Sequence, residues 1–199
     1  LELDRRKIRD RIKDLKTELS SISQEHETRR SRRSQDLSVA LVGYTNAGKS
    51  SLMRALTGSE VLVADQLFAT LDTTVRQLHP ESIPRILISD TVGFIKKLPH
   101  DLVASFKSTL DEALNASLLL FVVDSSDPDF RSQLEVTHTV LSEVGADGID
   151  SWLVLNKADR LNEEQHTQLQ TEFPQAVFLS TRRAEDIADF RMRLISHFE

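Results

Sequence analysis

The spacing of apolar residues along the chain changes near residue 34. Before that point the apolar residues are separated by 7, 4, 3, 4 and 3 positions; they are Leu1, Ile8, Ile12, Leu15, Leu19 and Ile22. This spacing places one narrow apolar seam on a helix, so we predict a helix over residues 1 to about 30. A helix of about 45 Å with a single seam cannot form a core alone and needs a partner helix or a domain to lie across.

After residue 34, short apolar runs alternate with helix-length segments. The pattern predicts strands at residues 37–42, 75–78, 85–89, 118–123, 152–155 and 177–179. It predicts helices at residues 49–56, 102–113, 131–144, 163–172 and 184–198. Strands separated by helices favour a mainly parallel sheet covered on both faces, with ligands at the carboxyl ends of the strands. We therefore predict a helical linker over residues 1–34 and an α/β domain with a six-stranded sheet over residues 35–199.

The composition is typical of a soluble globular protein, with 199 residues, 28% charged and 39% hydrophobic. The absence of cysteine excludes disulfides, thiolate catalysis and Cys-ligated zinc. The longest apolar run, residues 118–123, is far shorter than the roughly 20 residues of a membrane-spanning helix. The chain starts at Leu1 without a signal-peptide core, and we expect it to be a fragment of a longer cytoplasmic protein. A peripheral membrane or organellar form stays open.

Charge is distributed unevenly between the two predicted parts of the chain. Residues 1–34 hold eleven Lys and Arg against seven Asp and Glu, a net charge of +4 that leaves −10 for the remainder. A basic segment is typical of a protein that approaches nucleic acid through one end. A solvated helix face is the alternative, and we prefer it for residues 5–16. The better candidates for phosphate contacts are Arg29, Arg30, Arg32 and Arg33.

Residues 43–50 fit the phosphate-loop pattern G-x-x-x-x-G-K-[ST] between a predicted strand and a predicted helix. The backbone N–H groups of such a loop cradle phosphate oxygens at the start of the helix. Lys49 would neutralise the β and γ phosphates, and the hydroxyl of Ser50 would bind magnesium. The alternative, a simple glycine turn, does not explain why Lys49 and Ser50 stand at this spacing.

A second motif, Asp90-Thr91-Val92-Gly93, follows the predicted strand at residues 85–89. Asp90 would hold the magnesium ion through water, and Gly93 would allow the backbone to approach the γ phosphate. By itself D-x-x-G usually marks a turn. Forty residues after the serine of a phosphate loop, it supports a nucleotide site.

A third motif, Asn156-Lys157-Ala158-Asp159, follows the predicted strand at residues 152–155 and selects the base. The carboxylate of Asp159 can accept hydrogen bonds from N1–H and the 2-amino group of guanine. Adenine lacks this pair of donors and would leave the carboxylate unpaired, so we predict GTP rather than ATP. Asn156 would brace the loops, and the stem of Lys157 would cover the base.

Two further segments complete the predicted site. Ser180 ends the last predicted strand and would place a backbone N–H near the guanine oxygen, although residues 180–182 could instead cap the last helix. Residues 58–74 supply Thr70, Thr73 and Thr74, one of which should complete the magnesium coordination when GTP is bound. A segment held in this way by the γ phosphate acts as a switch.

Taken together, these stretches resemble the HflX family of translational GTPases over nearly the whole chain. The resemblance is carried by Leu1-Glu2-Leu3-Asp4-Arg5-Arg6, the loop at 43–50, Phe68-Ala69-Thr70-Leu71-Asp72, Asp90-Thr91-Val92-Gly93-Phe94 and Leu98-Pro99-His100-Asp101-Leu102-Val103. It implies a three-layer phosphate-loop GTPase fold with Mg²⁺ and with GTP or GDP as ligand. It also implies a monomeric GTPase that binds the large (50S) ribosomal subunit and its rRNA, and that separates stalled ribosomes under stress. No DNA partner and no membrane-spanning segment are expected.

The resemblance bears on three further residues and on the first helix. Thr70 would be the switch threonine on magnesium, although Asp72-Thr73-Thr74-Val75 departs from the family's Asp-Pro-Thr-Thr. Phe94 stands where many signalling GTPases have a water-orienting glutamine, so we expect slow intrinsic hydrolysis; core packing is the other interpretation of this ring. Asn46 resembles the asparagine that potassium-activated GTPases use as an ion ligand, with loop hydrogen bonding as the alternative. The first helix resembles one arm of an interdomain helical hairpin.

The candidate residues fall into three groups. The candidate catalytic residues are Lys49, Thr70, Gly93 and Phe94. The candidate magnesium ligands are Ser50, Thr70 and Asp90. The candidate nucleotide-binding residues are Gly43, Tyr44, Thr45, Asn46, Ala47, Gly48, Lys49, Ser50, Ser51, Phe68, Ala69, Thr70, Asp90, Thr91, Val92, Gly93, Asn156, Lys157, Asp159, Ser180 and Thr181. A ribosome-assembly or RNA-modification GTPase, or a signalling GTPase with a protein effector, are the alternative functions.

Overall fold

The computed structural model describes residues 11–14, 17, 36–58, 74–91, 93, 110 and 113–199. The chain divides into two units, Leu1–Asp36 and Leu37–Glu199. In the first unit residues 11–14 and 17 are helical, but the rest of the predicted helix lies outside the described residues, so the long helix is not confirmed. Ile12, one of the predicted seam residues, is 47% exposed. The assignment of residues 1–34 as a linker stays a prediction.

Within the described residues, the second unit contains a six-stranded sheet. Its strands are β1 (Leu37–Val42), β2 (Thr74–Gln77), β3 (Ile86–Asp90), β4 (Leu118–Asp124), β5 (Ser151–Asn156) and β6 (Val177–Phe178). The strand order is β2-β3-β1-β4-β5-β6. Strand β2 runs antiparallel to β3, and every other pairing is parallel. The predicted α/β class with a mainly parallel six-stranded sheet is confirmed.

The described helices follow the strands in the predicted order. They are α1 (Lys49–Thr57), α2 (Phe130–Glu143), α3 (Glu163–Glu172) and α4 (Ala184–Phe198). The bounds of α3 and α4 agree with the prediction, whereas α2 begins and ends one residue early. The helix predicted at residues 102–113 lies mostly outside the described residues; Leu110 and Ala113 within it are helical.

Helices cover both faces of the sheet because successive strand residues point to opposite faces. Val39 of β1 packs in one apolar cluster with Leu52 of α1 and Leu194 of α4. Its neighbour Ala40 packs in a second cluster with Leu141 of α2. The central strands are therefore buried on both sides, which explains why they read as continuous apolar runs rather than as alternating ones.

One aromatic cluster joins β5 to α4. The ring of Trp152 lies 6.3 Å from that of Phe190 and 5.0 Å from that of His197, measured between centroids. The guanidinium carbon of Arg193 lies 5.0 Å from the Trp152 centroid. These contacts involve the amino-terminal part of β5 and seat α4 against the sheet.

The strand order has a switch point at β1, whose neighbours are β3 on one side and β4 on the other. Ligands of open α/β sheets bind in the crevice that such a reversal leaves beyond the carboxyl ends of the strands. The loop after β1 begins at Gly43 and lies at this place. None of the helices that the structure describes is long and apolar enough to pass through a bilayer.

Candidate nucleotide-binding site

The structure brings the described residues of all three motifs to one edge of the sheet. The loop at 43–48 follows β1, Asp90 ends β3, and Asn156 ends β5. Because β1, β3 and β5 run in the same direction, their carboxyl ends share this edge. Five candidate residues lie outside the described part of the chain: Phe68, Ala69, Thr70, Val92 and Phe94.

The phosphate loop ends in a left-handed glycine at the start of α1. Gly48 has φ 95°, and a Cβ at this position would overlap the side-chain amide of Asn156. No side chain caps the helix here, so the N–H groups of its first turn are open at the helix end. A helix N-terminus of this kind attracts anions, phosphate above all.

The side chain of Lys49 is buried inside the loop, with only 6% of its surface exposed. Its Nζ donates hydrogen bonds to the carbonyl oxygens of Gly43 at 3.2 Å and Tyr44 at 3.0 Å. Burial lowers the pKa of Lys49 to about 8, against the opposing effect of the Asp90 carboxylate. Phosphate oxygens beside this ammonium would favour its charged form.

A hydroxyl and a carboxylate meet next to Lys49. The Oγ of Ser50 donates a hydrogen bond of 2.6 Å to Oδ2 of Asp90, which is fully buried. Asp90 is held there because β3 pairs with β1, opposite Leu41. Mg²⁺ prefers hard oxygen ligands and is commonly bound by one or two protein side chains together with substrate phosphates. Ser50 and Asp90 fit that ligand set.

Gly93 presses its backbone against the phosphate loop. A Cβ at this position would lie 2.8 Å from Cα of Thr45 and 3.0 Å from Nζ of Lys49, so only glycine fits. The hydroxyl of Thr91, by contrast, donates to the carbonyl oxygen of Leu41 at 2.7 Å and is buried. The Thr91 side chain therefore holds the strand and not a ligand.

Asn156 links the base-selecting loop to the phosphate loop. Its Nδ2 donates to the carbonyl oxygen of Ala47 at 3.0 Å, and its Oδ1 accepts from the backbone N–H of Lys157 at 2.7 Å. The residue is 1% exposed. This is the bracing contact expected of it from the sequence.

Asp159 stands in the next turn with 21% of its side chain exposed. A hydrogen bond from the hydroxyl of Ser180 holds the pKa of Asp159 below its ordinary value, assisted by Arg182, whose Nη1 lies 3.9 Å away. The carboxylate is therefore ionised at neutral pH. It can accept hydrogen bonds from a ligand that carries two adjacent donors.

The role expected of the Ser180 backbone needs correction. Its N–H donates to Oδ2 of Asp186 at 2.8 Å, so it is already bound and not offered to a base. The next amide, that of Thr181, becomes the candidate for the guanine oxygen. The capping alternative does not hold either, because α4 begins at Ala184 with Arg183 as its N-terminal flanking residue.

One residue of the site, Asp124, was not predicted. Its Oδ2 accepts a hydrogen bond of 2.7 Å from Nζ of Lys157, and the same Nζ donates to the carbonyl oxygen of Asn46 at 3.0 Å. Asp124 ends β4, between the strands that carry the phosphate loop and the base-selecting loop. Its position directly after the apolar run at residues 118–123 was the available signal.

Comparison with known proteins identifies a family and two curated relatives. Residues 38–157 match the family model described as 50S ribosome-binding GTPase. The chain is 64% identical over 199 residues to GTPase HflX of Gluconacetobacter diazotrophicus, covering 100% of this chain and 44% of the relative. It is 47% identical over 165 residues to GTPase HflX of Escherichia coli K12, covering 82% of this chain and 39% of the relative.

A solved structure agrees with the fold. The GTP-binding protein of the archaeon Sulfolobus solfataricus in complex with GDP superposes with a TM-score of 0.57 at 26% identity, covering 94% of this chain and 61% of that one. The chain spans less than half the length of the curated relatives it matches. It belongs to the 50S ribosome-binding GTPase family and, within that family, to the HflX proteins.

Proposed function

We propose that this chain is the nucleotide-handling part of a GTP-hydrolysing switch protein that associates with the large ribosomal subunit. The observation that carries the proposal is the cluster at one sheet edge: Lys49, the Ser50–Asp90 pair and Gly93 for phosphates, with Asp159 for the base. Each contributes a group of the kind that a magnesium-bound guanine nucleotide requires.

Hydrolysis would proceed by in-line attack of water on the γ phosphate, assisted by positioning and charge. Lys49 and the N–H groups at the start of α1 stabilise negative charge on the phosphate oxygens. Magnesium held by Ser50 and Asp90 would supply further neutralisation of that charge. The close approach of Gly93 places the backbone of its motif beside the Lys49 ammonium, where it can contact the γ phosphate.

Base selection follows from the charge state of Asp159. The ionised carboxylate offers two acceptor oxygens, which match N1–H and the 2-amino group of guanine. Adenine would present an acceptor and no adjacent donor pair, so its binding would leave the carboxylate desolvated and unpaired. We infer a strong preference for GDP and GTP over ADP and ATP.

The test of this step is Asp159→Asn, which replaces one acceptor oxygen by a donor. We expect the binding free energy of GDP to weaken by about 1.5–3 kcal/mol, with the weak binding of ADP unchanged. Isothermal titration calorimetry with both nucleotides measures the change. Asp150→Asn is the matched control, since this exposed carboxylate precedes β5 at its opposite end. Equal losses for GDP and ADP would contradict base selection by Asp159.

The ribosomal role is supported by the family match over residues 38–157 and by the two HflX relatives. We propose that the full-length protein binds the 50S subunit in its GTP state and separates stalled ribosomes under stress in the cytoplasm. Pelleting it with 50S, with 70S and with RNA-free extract in a non-hydrolysable GTP analogue tests the partner. If the protein instead pellets with a protein of the RNA-free extract, a signalling GTPase would be favoured.

Two further measurements refine this proposal. The GTPase rate of the parent protein should rise in the presence of 50S subunits, since Phe94 provides no water-orienting amide. An unchanged rate would argue against the 50S subunit as the partner. Sedimentation of 70S ribosomes with the protein and a GTP analogue should yield free subunits. A protein that assembles or modifies ribosomal RNA would bind the subunit without separating 70S.

Potassium is proposed as an additional activator at the phosphate loop. Asn46 is exposed, has φ 60°, and its carbonyl oxygen is held by Lys157. The orientation of its backbone is therefore fixed while its side chain remains at the surface. Turnover of GTP should be faster in potassium than in sodium at equal ionic strength. Equal rates in the two salts would contradict activation by potassium.

A further inference from the structure

A carboxylate outside the three motifs holds the lysine of the base-selecting loop. Both oxygens of Asp124 are engaged: Oδ2 accepts from Nζ of Lys157 at 2.7 Å. Oδ1 accepts from the backbone N–H of Ser126 at 3.0 Å and from its hydroxyl at 2.6 Å. Because the carboxylate is anchored on one side by Ser126, it offers Lys157 a single fixed position on the other.

This ion pair is largely removed from water. The exposed fractions of the two side chains are 15% for Asp124 and 19% for Lys157. Burial alone would raise the pKa of Asp124, but the hydrogen bonds from Lys157 and Ser126 outweigh it and keep the pKa below its ordinary value. Asp124 is therefore ionised at neutral pH, and a charge-assisted hydrogen bond in such surroundings is stronger than at an exposed surface.

The loop after β4, which begins beside Asp124, holds the base-selecting loop at a second point. Ser125 donates to the carbonyl oxygen of Asn156 twice, from its backbone N–H at 3.0 Å and from its hydroxyl at 2.7 Å. On the far side, the Lys157 ammonium reaches the carbonyl oxygen of Asn46 in the phosphate loop at 3.0 Å. The loop after β4 thus connects the base end of the site to the phosphate end.

We propose that Asp124 is a positioning residue for guanine-nucleotide binding, which acts by fixing Lys157 between the end of β4 and the phosphate loop. The proposal rests on the proposed function and names a determinant of nucleotide affinity outside the three motifs. A lysine side chain has many rotamers in water, and a ligand that orders it loses binding free energy. Asp124 orders this side chain before the nucleotide arrives.

The first test is Asp124→Asn, which keeps the size of the side chain and removes its charge. We expect the dissociation constant of GDP to rise about tenfold, equivalent to about 1.4 kcal/mol, mainly through faster dissociation. The matched control is Asp127→Asn in the same loop. Asp127 accepts hydrogen bonds only within that region, from the backbone of Asp129 and from Gln133, and its replacement should leave GDP affinity unchanged.

The second test separates positioning from a general effect on folding. If Asp124 acts through Lys157, the double variant Asp124→Asn/Lys157→Ala binds GDP no more weakly than Lys157→Ala alone. Additive losses, or wild-type affinity in Asp124→Asn, would overturn the proposal. Wild-type chain that fails to bind GDP at all would instead reject the proposed function.

A third variant tests the proposal even if the Asp124→Asn protein fails to fold. Ser126→Ala removes the hydroxyl that anchors Oδ1 but leaves the carboxylate and its charge in place. We expect a two- to threefold rise in the GDP dissociation constant with the thermal unfolding midpoint close to that of wild type. Unchanged affinity in this variant would argue against an anchored carboxylate as the source of the effect.

Discussion

Gly93 has little space around its Cα, and that space is shared with the backbone of Thr45 and the side chain of Lys49. Its missing Cβ would lie 2.8 Å from Cα of Thr45 and 3.0 Å from Nζ of Lys49. Backbone cannot yield as a flexible side chain can, so any added atom must displace the glycine segment or the ammonium. The effect should be greatest for the nucleotide that fills the γ-phosphate position.

Gly93→Ala should therefore weaken a non-hydrolysable GTP analogue more than tenfold and GDP by less. Overpacking of this kind also costs roughly 1–3 kcal/mol of folding stability. Calorimetric titration gives the affinities, and urea unfolding followed by circular dichroism gives the stability. Gly148→Ala is the matched control, because a Cβ there meets nothing within 4 Å. Equal losses for the two nucleotides would place Gly93 away from the γ phosphate.

A pH effect is expected from His138, whose ring stacks on Phe121 with centroids 4.1 Å apart. Burial lowers the pKa of His138 below its ordinary value of 6.5, against the opposing charge of Asp147. The unfolded chain therefore binds this proton more tightly than the folded one, so stability falls as the pH drops below 6.5.

The corresponding variant is His138→Gln, which should lose less stability than wild type when the pH is lowered through this window. Urea midpoints measured at about pH 7.5 and about pH 5.5 give the comparison. His166→Gln serves as the control, since that ring also lies against a phenylalanine, Phe178, at 4.4 Å. An identical pH dependence in His138→Gln and wild type would exclude His138 as the source.

Among single residues, the sequence could predict those that belong to a short motif, such as Lys49, Ser50 and Asn156. It indicated that Asp124 ends a strand but not what Asp124 contacts, because its partner Lys157 lies 33 positions away and meets it only through the pairing of β4 with β5. Asp186 lies only six positions from Ser180, but its bond to the Ser180 amide depends on where α4 begins. The fold sets both of these partners.

Among the elements, the buried strands β1 and β4 were predicted to within one residue because both of their faces are covered and their sequences are continuously apolar, whereas β3 begins and ends one residue later than predicted. Helix ends also vary by one or two residues, since they depend on capping contacts. Helix α2, displaced by one residue from the prediction, has no side-chain cap bond at Asp129. Helix α3, predicted to the residue, begins with a complete capping box.

That capping box supplies an element-scale prediction. Oδ1 of Asn162 accepts from the N–H of Gln165 at 2.8 Å, and the N–H of Asn162 donates to the Gln165 side chain at 3.0 Å. Asn162→Ala should lower the free energy of unfolding by about 1 kcal/mol. Arg183→Ala, at the uncapped start of α4, is the control and should change it little. A similar loss in both would show that the measurement reports surface substitution in general.

For the whole molecule, the uneven charge separates two expected tasks. Residues 37–199 hold the candidate nucleotide-binding site, and the acidic balance after residue 34 disfavours this unit as the main RNA-binding surface. The four arginines at 29, 30, 32 and 33 remain the better candidates for rRNA phosphates. Contacts of this kind release counterions, which makes binding dependent on salt.

Replacing these four arginines by alanine in the full-length protein should weaken association with 50S subunits and reduce its salt dependence, while GDP affinity stays unchanged. The control instead replaces four basic residues nearer the start of the sequence: Arg5, Arg6, Lys7 and Arg9. Cosedimentation across a series of salt concentrations measures both variants. Equal weakening by the two would indicate a general charge effect of the segment.

The position of the one tryptophan in the chain has a practical consequence. Trp152 packs against Phe190, His197 and Arg193, four residues before Asn156 on β5 and so about 13 Å from the nucleotide end of that strand. Its emission spectrum therefore reports the seating of the last helix and not ligand contact. Because guanine nucleotides would not quench it directly, the intrinsic fluorescence of this chain can distinguish loss of the fold from loss of nucleotide binding in its point variants.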